Sequence, residues 1–304
     1  MNTNFSERLL SVLGNEKVKQ GEPMKKHTTF RIGGMADYLV LPETIEEVQA
    51  IVMLCKTWEV PYYILGNGSN VLVGDNGYRG VIIKLYKNMN EMIVTDTTIE
   101  VKAGVLLSQV ANLALENSLV GLEFAAGIPG TIGGAVVMNA GAYGGEMKDV
   151  ITEVTVLLEN GEIRKFRGEE MQFGYRTSLA AKENYIILQV TLSLKKGEKE
   201  AIHARMEELK VQRTTKQPLN YPSAGSTFKR PVGHFAGKLI EDAGLRGFQV
   251  GGAKVSDKHC GFVVNVGDAT ARDVDMLMQQ IVQRVYEQTG VTLEAEIKRL
   301  GEFA

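Results

Sequence analysis

The chain is poor in cysteine: only Cys55 and Cys260 occur, far apart. No C-x-x-C pair exists, so a zinc ribbon or a thioredoxin-type dithiol is excluded. Four histidines, His27, His203, His234 and His259, show no ligand spacing, and no metal is expected. No run approaches the ~18 uninterrupted apolar residues of a membrane span. Neither charge dominates. With 34 basic against 36 acidic residues and a net charge of −2, a broad nucleic-acid footprint is not expected. The start, "MNTNFSERLLSVLGNEK", lacks the basic-then-apolar layout of a signal peptide, so cytoplasmic residence is the default expectation. There is also no G-x-x-x-x-G-K-[ST] loop and no G-x-S-x-G turn.

Glycine, by contrast, is abundant. There are 33, and they cluster. The stretch "FAAGIPGTIGGAVVMNAGAYGGE" (124–146) holds seven glycines and no charge before Glu146. Each glycine inside a regular element costs about 0.5–1 kcal/mol relative to alanine, so something must require free or closely approaching backbone.

At 304 residues the chain exceeds one average core, and two or three subdomains are expected. Ile45, Val48, Ile51, Val52, Cys55 and Trp58 follow helical spacing behind a Thr44/Glu47 capping pattern. A buried strand, "YYILG", then empties into "GNGSN" at 66–70. Short strands follow: "GVIIKL", "EMIVTD", "TIEVKAG" and the hairpin "EVTVLLENGEIRKF", whose Asn160-Gly161 predicts a type I′ turn. A helix "SQVANLALEN", a strand "NYIILQVTLSL" and a polar helix ending before Pro218 complete this part. The last third predicts a helix over "HFAGKLIEDAGL", a strand "CGFVVNVG", and a long amphipathic helix opened by Thr270 and Asp273. In a final strand "TLEAEIKRLG", Glu294, Glu296 and Lys298 share one face. Boundaries are expected near residue 76 and within 200–215.

The motifs each admit two explanations. "LGNGSN" presents backbone N–H groups able to cradle a diphosphate, or is a simple αL turn; Val71 breaks the G-x-G-x-x-G pattern. Two glycine-dense segments together suit one long ligand touched twice, such as a dinucleotide; otherwise 124–146 is a tightly packed irregular segment. In "FGYRTS", Arg176 has a fork suited to a carboxylate or enolate oxygen, though most arginines are surface charges. In "YPSAGSTFKRP" (221–231), Ser226 follows a glycine turn that can project its hydroxyl into a cleft, or the turn is ordinary surface. Lys229 and Arg230 add local positive charge.

Taken in order, "HTTFRIGG" (27–34), "LGNGSNVLV" (65–73), "GIPGTIGGAVVMNAGAYGGE" (127–146), Tyr175-Arg176 with Ser178, "PSAGSTFKRP" and "LEAEIKRLG" resemble the UDP-N-acetylenolpyruvoylglucosamine reductase family, from about residue 27 to 301. The resemblance implies an α+β chain. An FAD-binding fold of the p-cresol-methylhydroxylase type, in two α/β subdomains (1–75 and 76–210), precedes a C-terminal α+β substrate-binding domain (211–304) whose last strand returns to the flavin. It implies non-covalent FAD, since neither glycine loop holds a histidine, with NADPH as reductant. The reaction implied is reduction of the enolpyruvyl ether of UDP-N-acetylglucosamine to UDP-N-acetylmuramate, for peptidoglycan.

The same resemblance assigns catalysis to Arg176, Ser226 as proton donor and Glu296. It assigns the cofactor to Gly66, Asn67, Gly68, Ser69, Asn70, Gly130, Gly133, Gly134, Asn139 and Gly141, and the substrate to Tyr175, Lys216, Lys229 and Arg230. A cytoplasmic monomer without nucleic-acid or membrane partners is expected. Only 50 positions separate Arg176 from Ser226, so the inserted segment of one family branch is absent and the shorter, second type is implied. Rival readings are an FAD oxidase or dehydrogenase of the same fold acting on an alcohol, and a nucleotide-sugar-binding module without catalysis. The serine–lysine turn and terminal glutamate disfavour the first, and the joint presence of Arg176, Ser226 and Glu296 the second.

Overall fold

A computed structural model describes residues 3–303. The chain forms two compact units. The first comprises Met1–Gln20, Tyr38–Asn67 and Gly80–Arg213; the second comprises Gly21–Asp37, Gly68–Arg79 and Thr214–Ala304. Each has its own apolar core. No helix among the described residues is long and apolar enough to cross a membrane.

In the first unit, the helix Ile45–Thr57 begins where the capping pattern places it, with the Thr44 hydroxyl accepting from the Glu47 amide at 3.1 Å. Val48, Ile51, Val52 and Cys55 are the buried face, spaced i, i+3, i+4, i+7. Burial pushes the Cys55 thiol up to about 12, which fits a core packing role. Tyr62–Leu65 pairs in parallel with Val81–Lys84. Val81, Ile82 and Ile83 are fully buried, as expected of a strand covered on both faces. Tyr62–Leu65 was expected to be buried, yet only Leu65 is.

A five-stranded antiparallel sheet follows, in the order Ile163–Arg167, Ile151–Leu157, Ile186–Ser193, Thr98–Lys102, Met92–Thr95. The hairpin turn differs from the type I′ expectation. Gly161 has φ +87°, but Asn160 is not among the positive-φ residues, and type I′ needs both. Instead the Gly161 amide bonds the Leu158 carbonyl at 3.0 Å and the Leu158 amide bonds the Glu162 carbonyl at 2.8 Å. That is a type I turn closed by a left-handed glycine, and the Asn160 side chain accepts from the Glu162 amide at 2.9 Å.

In the second unit, Gln249–Val250, Ala253–Val255 and Val263–Asn265 form an antiparallel sheet. The helices Ala236–Asp242 and Ala271–Thr289 bury Leu239, Ile240, Val274, Leu277, Ile281 and Val285 in the same core. Thr270 and Asp273 form the expected capping box, and Gly290 closes the long helix in the left-handed region. A second carboxylate, from Asp75, accepts the Ala271 and Arg272 amides at 2.8 and 3.0 Å. Asp75→Ala should therefore cost about 1 kcal/mol or more of stability, the usual worth of a helix cap. Thermal melting checks this, and an unchanged midpoint would show that Asp75 is redundant.

The final strand is shorter than the sequence suggests. Only Lys298–Leu300 is regular, pairing in parallel with Val71–Val73, while Ala295 makes an isolated bridge to Phe228.

Candidate active site

The two glycine-rich segments of the sequence meet inside the first unit. A side chain at Gly66 would place its Cβ 2.3 Å from the Thr131 hydroxyl, and the Asn67 amide group donates to the Pro129 carbonyl at 2.7 Å. Residues 124–146 are not uniformly irregular, because Ile132–Val137 forms a short helix. Its glycines have different uses. Gly133 is buried, its amide bonded to the Ala103 carbonyl at 3.0 Å, and an added Cβ would lie 2.9 Å from that of Ala103. Gly134 is exposed, with only Thr131 within reach at 3.7 Å, so its bare backbone faces open space. The Gly130 carbonyl accepts from the Leu107 amide at 3.0 Å.

Gly68, Ser69 and Asn70 belong to the second unit. Gly68 has φ +66°, and a Cβ there would sit 2.2 Å from the His27 carbonyl oxygen. Both facts demand glycine. Gly68→Ala should destabilise by about 1 kcal/mol or more through the φ penalty alone, before the clash. Melting temperature and flavin content of the purified variant check this; wild-type values in both would contradict it.

Arg176 sits in the first unit on a tight turn. Gly174 and Thr177 bridge each other, leaving Arg176 at φ +54°. The half-exposed Tyr175 ring lies under the guanidinium, 5.2 Å from its centroid, and Nη2 donates to the Gly141 carbonyl at 3.3 Å. Ser178 is fully buried, donates to the Val137 carbonyl at 2.9 Å and caps the next helix.

The turn is held from below by Asn139, only 1% exposed. Its Nδ2 donates to the Gly174 carbonyl at 3.1 Å and to Glu146 Oε2 at 2.9 Å, and its Oδ1 accepts from the Lys148 amide at 3.0 Å. Glu146 is the first charge of the glycine stretch, and it pairs through backbone with Gly141. The Lys148 ammonium at 2.8 Å, then Asn139 and the Arg176 charge, hold its carboxyl below the usual range despite opposing burial.

The chain segments that carry Ser226 and Glu296 are paired through their backbones in the second unit. The Glu296 amide donates to the carbonyl of Thr227, the residue after Ser226, at 2.9 Å, and the Lys229 amide donates to Glu294 at 2.8 Å. Thr227 is buried and accepts the Val263 amide at 2.9 Å. Gly225, at φ +77°, has nothing within 4 Å of an added Cβ. The Glu296 region also runs beside the glycine loop: Asn70 Nδ2 donates to the Glu296 carbonyl at 3.4 Å, and the Lys298 amide donates to the Asn70 carbonyl at 2.9 Å. Lys229 is ion-paired with Glu294, and Arg230 stacks on Phe235 at 4.0 Å. Lys216 is exposed at the end of the helix Lys199–Lys216. Among the described residues, no group of three or more histidine, cysteine, aspartate or glutamate side chains is placed to hold a metal ion.

Residues 36–167 match the FAD binding domain family. Residues 217–300 match the UDP-N-acetylenolpyruvoylglucosamine reductase, C-terminal domain. The UDP-N-acetylenolpyruvoylglucosamine reductase of Alkaliphilus oremlandii is 52% identical over 294 residues, covering 97% of each chain. The chain belongs to the UDP-N-acetylenolpyruvoylglucosamine reductase family. The crystal structure of the Thermus caldophilus UDP-N-acetylenolpyruvylglucosamine reductase matches with a TM-score of 0.80 at 38% identity, over 93% of this chain and 99% of that one. Phl p 4, in a variant that is a glucose oxidase, matches at 14% identity with a TM-score of 0.52, over 64% of this chain and 44% of that one. That likeness extends to fold alone. Together these matches show the α+β architecture, with an FAD-binding fold of the p-cresol-methylhydroxylase type.

Within this reductase family chain, three residues near the motifs carry little sequence signal of their own. Glu146 stood out only as the first charge of an apolar stretch. Thr29 lay in a motif without an assigned task. Arg213 packs its Cδ at Gly127, burial lowers its pKa, and Tyr143 opposes that shift. Nothing in the polar pattern of its helix marks it as half-buried.

Proposed function

We propose that the chain catalyses the NADPH-dependent reduction of UDP-N-acetyl-3-O-(1-carboxyvinyl)-glucosamine to UDP-N-acetylmuramate, in peptidoglycan precursor synthesis. The geometric observation that carries this is the bond from the Glu296 amide to the carbonyl of Thr227, which joins the backbone next to Ser226 to the segment that continues into the Lys298–Leu300 strand beside the glycine loop. FAD fits the residues present. The two glycine segments touch at Gly66–Thr131 and Asn67–Pro129, and the exposed Gly134 leaves backbone open beside them. FAD, when bound, would supply hydride transfer between NADPH and the enolpyruvyl group.

The chain's own residues do the rest. Gly66, Asn67, Gly68, Ser69, Asn70, Gly130, Gly134 and Gly141 line the cofactor, which is held without a covalent bond. Gly133 and Asn139 serve it indirectly, the first by packing on Ala103 and the second by fixing the Arg176 turn. Arg176 forks onto the substrate carboxylate and stabilises the enolate that forms there. Glu296 hydrogen-bonds the enol oxygen, and Ser226 delivers the proton to the α-carbon. Serine is a weak acid, so this step needs a strongly basic enolate. Tyr175, Lys216, Lys229 and Arg230 take the nucleotide-sugar end; Lys229 must exchange Glu294 for phosphate to do so.

We place the cofactor on 1–75 and 76–210 and the substrate on 211–304. We read the protein as a cytoplasmic monomer without nucleic-acid or membrane partners, because NADPH and nucleotide sugars are cytoplasmic metabolites. Purified protein should be yellow, release FAD on denaturation, and oxidise NADPH only when the enolpyruvyl nucleotide is added. A colourless protein that takes up no FAD would sink this account.

A further inference from the structure

The motif "HTTFRIGG" has no task in the chemistry above, yet its third residue joins the two segments that matter most in the second unit. The Thr29 amide donates to the Gly68 carbonyl at 3.1 Å, and the Thr29 hydroxyl donates to the Ser223 carbonyl at 2.6 Å. The hydroxyl has one proton, and the alternative acceptor, the Gly68 carbonyl, lies at 3.4 Å, so the short bond to Ser223 holds it. Ser223 stands three residues before Ser226, and Gly225 between them has left-handed backbone. A free-standing turn of that kind is soft. Here its rear is fixed to the sheet: Ser223 bridges Val264, and the Asn265 amide donates to the Pro222 carbonyl at 2.9 Å. Asn265 also donates through Nδ2 to the Phe30 carbonyl at 3.2 Å, which locks the residue after Thr29 to the same sheet. Gly68 itself packs against His27 and Thr28 so closely that no side chain fits.

We infer that Thr29 is a positioning residue for proton delivery, tying the serine turn to the cofactor loop and so fixing where Ser226 stands relative to Gly68. It acts through its bonds to protein alone, the amide on Gly68 and the hydroxyl on Ser223. The inference rests on Ser226 being the proton donor. Hydride and proton reach adjacent carbons of one substrate, so the hydride source and the hydroxyl must keep a fixed separation. Thr29 spans the two loops with one amide and one hydroxyl.

Thr29→Val keeps the branched shape and the amide but removes the hydroxyl donor. In anaerobic stopped flow, reduction of the bound flavin by NADPH should be unchanged. Reoxidation by the enolpyruvyl nucleotide should slow by about tenfold, the rate equivalent of roughly one hydrogen bond. The solvent deuterium isotope effect on reoxidation should rise, because a misplaced donor makes proton transfer limiting. Thr29→Ser, which restores the hydroxyl, should recover the wild-type rate. FAD affinity, read by fluorescence on the apoprotein, and the melting temperature should stay near wild type.

Equal losses in both half-reactions, an unslowed reoxidation, an unchanged isotope effect, or a serine variant as slow as valine would each overturn the inference. If Thr29→Val folds poorly, Thr29→Ala removes the same donor with less bulk. Collapse of both would assign the hydroxyl to stability and also overturn it. Ser226→Ala, run alongside, separates the two levels. If it too leaves reoxidation fast, the proton-donor role itself fails; if it slows reoxidation while Thr29→Val does not, only the positioning role fails.

Discussion

Arg176→Lys is expected to reduce turnover by about 10²–10³, the range seen when one preorganised donor to a developing oxyanion is removed. Arg176 stands at φ +54°, on a turn that Asn139 ties down, with its guanidinium over Tyr175 and one nitrogen on the Gly141 carbonyl. A planar fork can keep that anchor and still present a second N–H pair to a carboxylate. A lysine ammonium is a point charge and cannot meet both demands in one plane. The loss should fall on kcat and kcat/KM together, as for an interaction strongest in the transition state. Steady-state kinetics decides this, and near-normal turnover would refute the assignment.

Ser226→Ala should separate the two halves of the reaction. Reduction of the flavin by NADPH needs no proton from Ser226 and should stay nearly intact. Reoxidation by the enolpyruvyl nucleotide should slow by about 10²–10⁴, the usual contribution of a general acid. The backbone supports a clean result. Thr227 is buried and bonded to Gly261, Val263 and Glu296, and Ser223 and Pro222 hold the other end, so alanine meets the same frame. Equal loss in both half-reactions would mean that the substitution damaged the site rather than the proton step.

Much of this was legible in local pattern. The helix Ile45–Thr57 declares itself through its buried spacing and Thr44, and the helix Ala271–Thr289 through Thr270, Asp273 and Gly290. These signals lie within a few residues of one another, so the sequence contains them whole. Features set by distant partners were not legible. The last strand is regular for only three residues because the strand it pairs with, Val71–Val73, is itself three residues long. Asp75 caps a helix nearly two hundred positions away, and nothing near either end announces it.

The glycine-rich stretch shows the same limit. Its composition pointed to close backbone approach, and Gly66 against Thr131 is one. Composition could not say that Gly133 approaches Ala103 while Gly134 faces open space. Nor could it say that Asn139 bonds both Glu146 and the Gly174 carbonyl of the turn that carries Arg176. Polar residues in a motif look alike whether they touch a ligand or hold the residue that does.

The central claim is that one flavin passes hydride from NADPH to an enolpyruvyl nucleotide. Anaerobic half-reaction kinetics on the purified protein tests it most directly. NADPH alone should bleach the flavin absorbance, and UDP-N-acetyl-3-O-(1-carboxyvinyl)-glucosamine, added next without oxygen, should restore it with one UDP-N-acetylmuramate formed per flavin. A bleached protein that the nucleotide leaves bleached, and that only oxygen restores, would contradict the account.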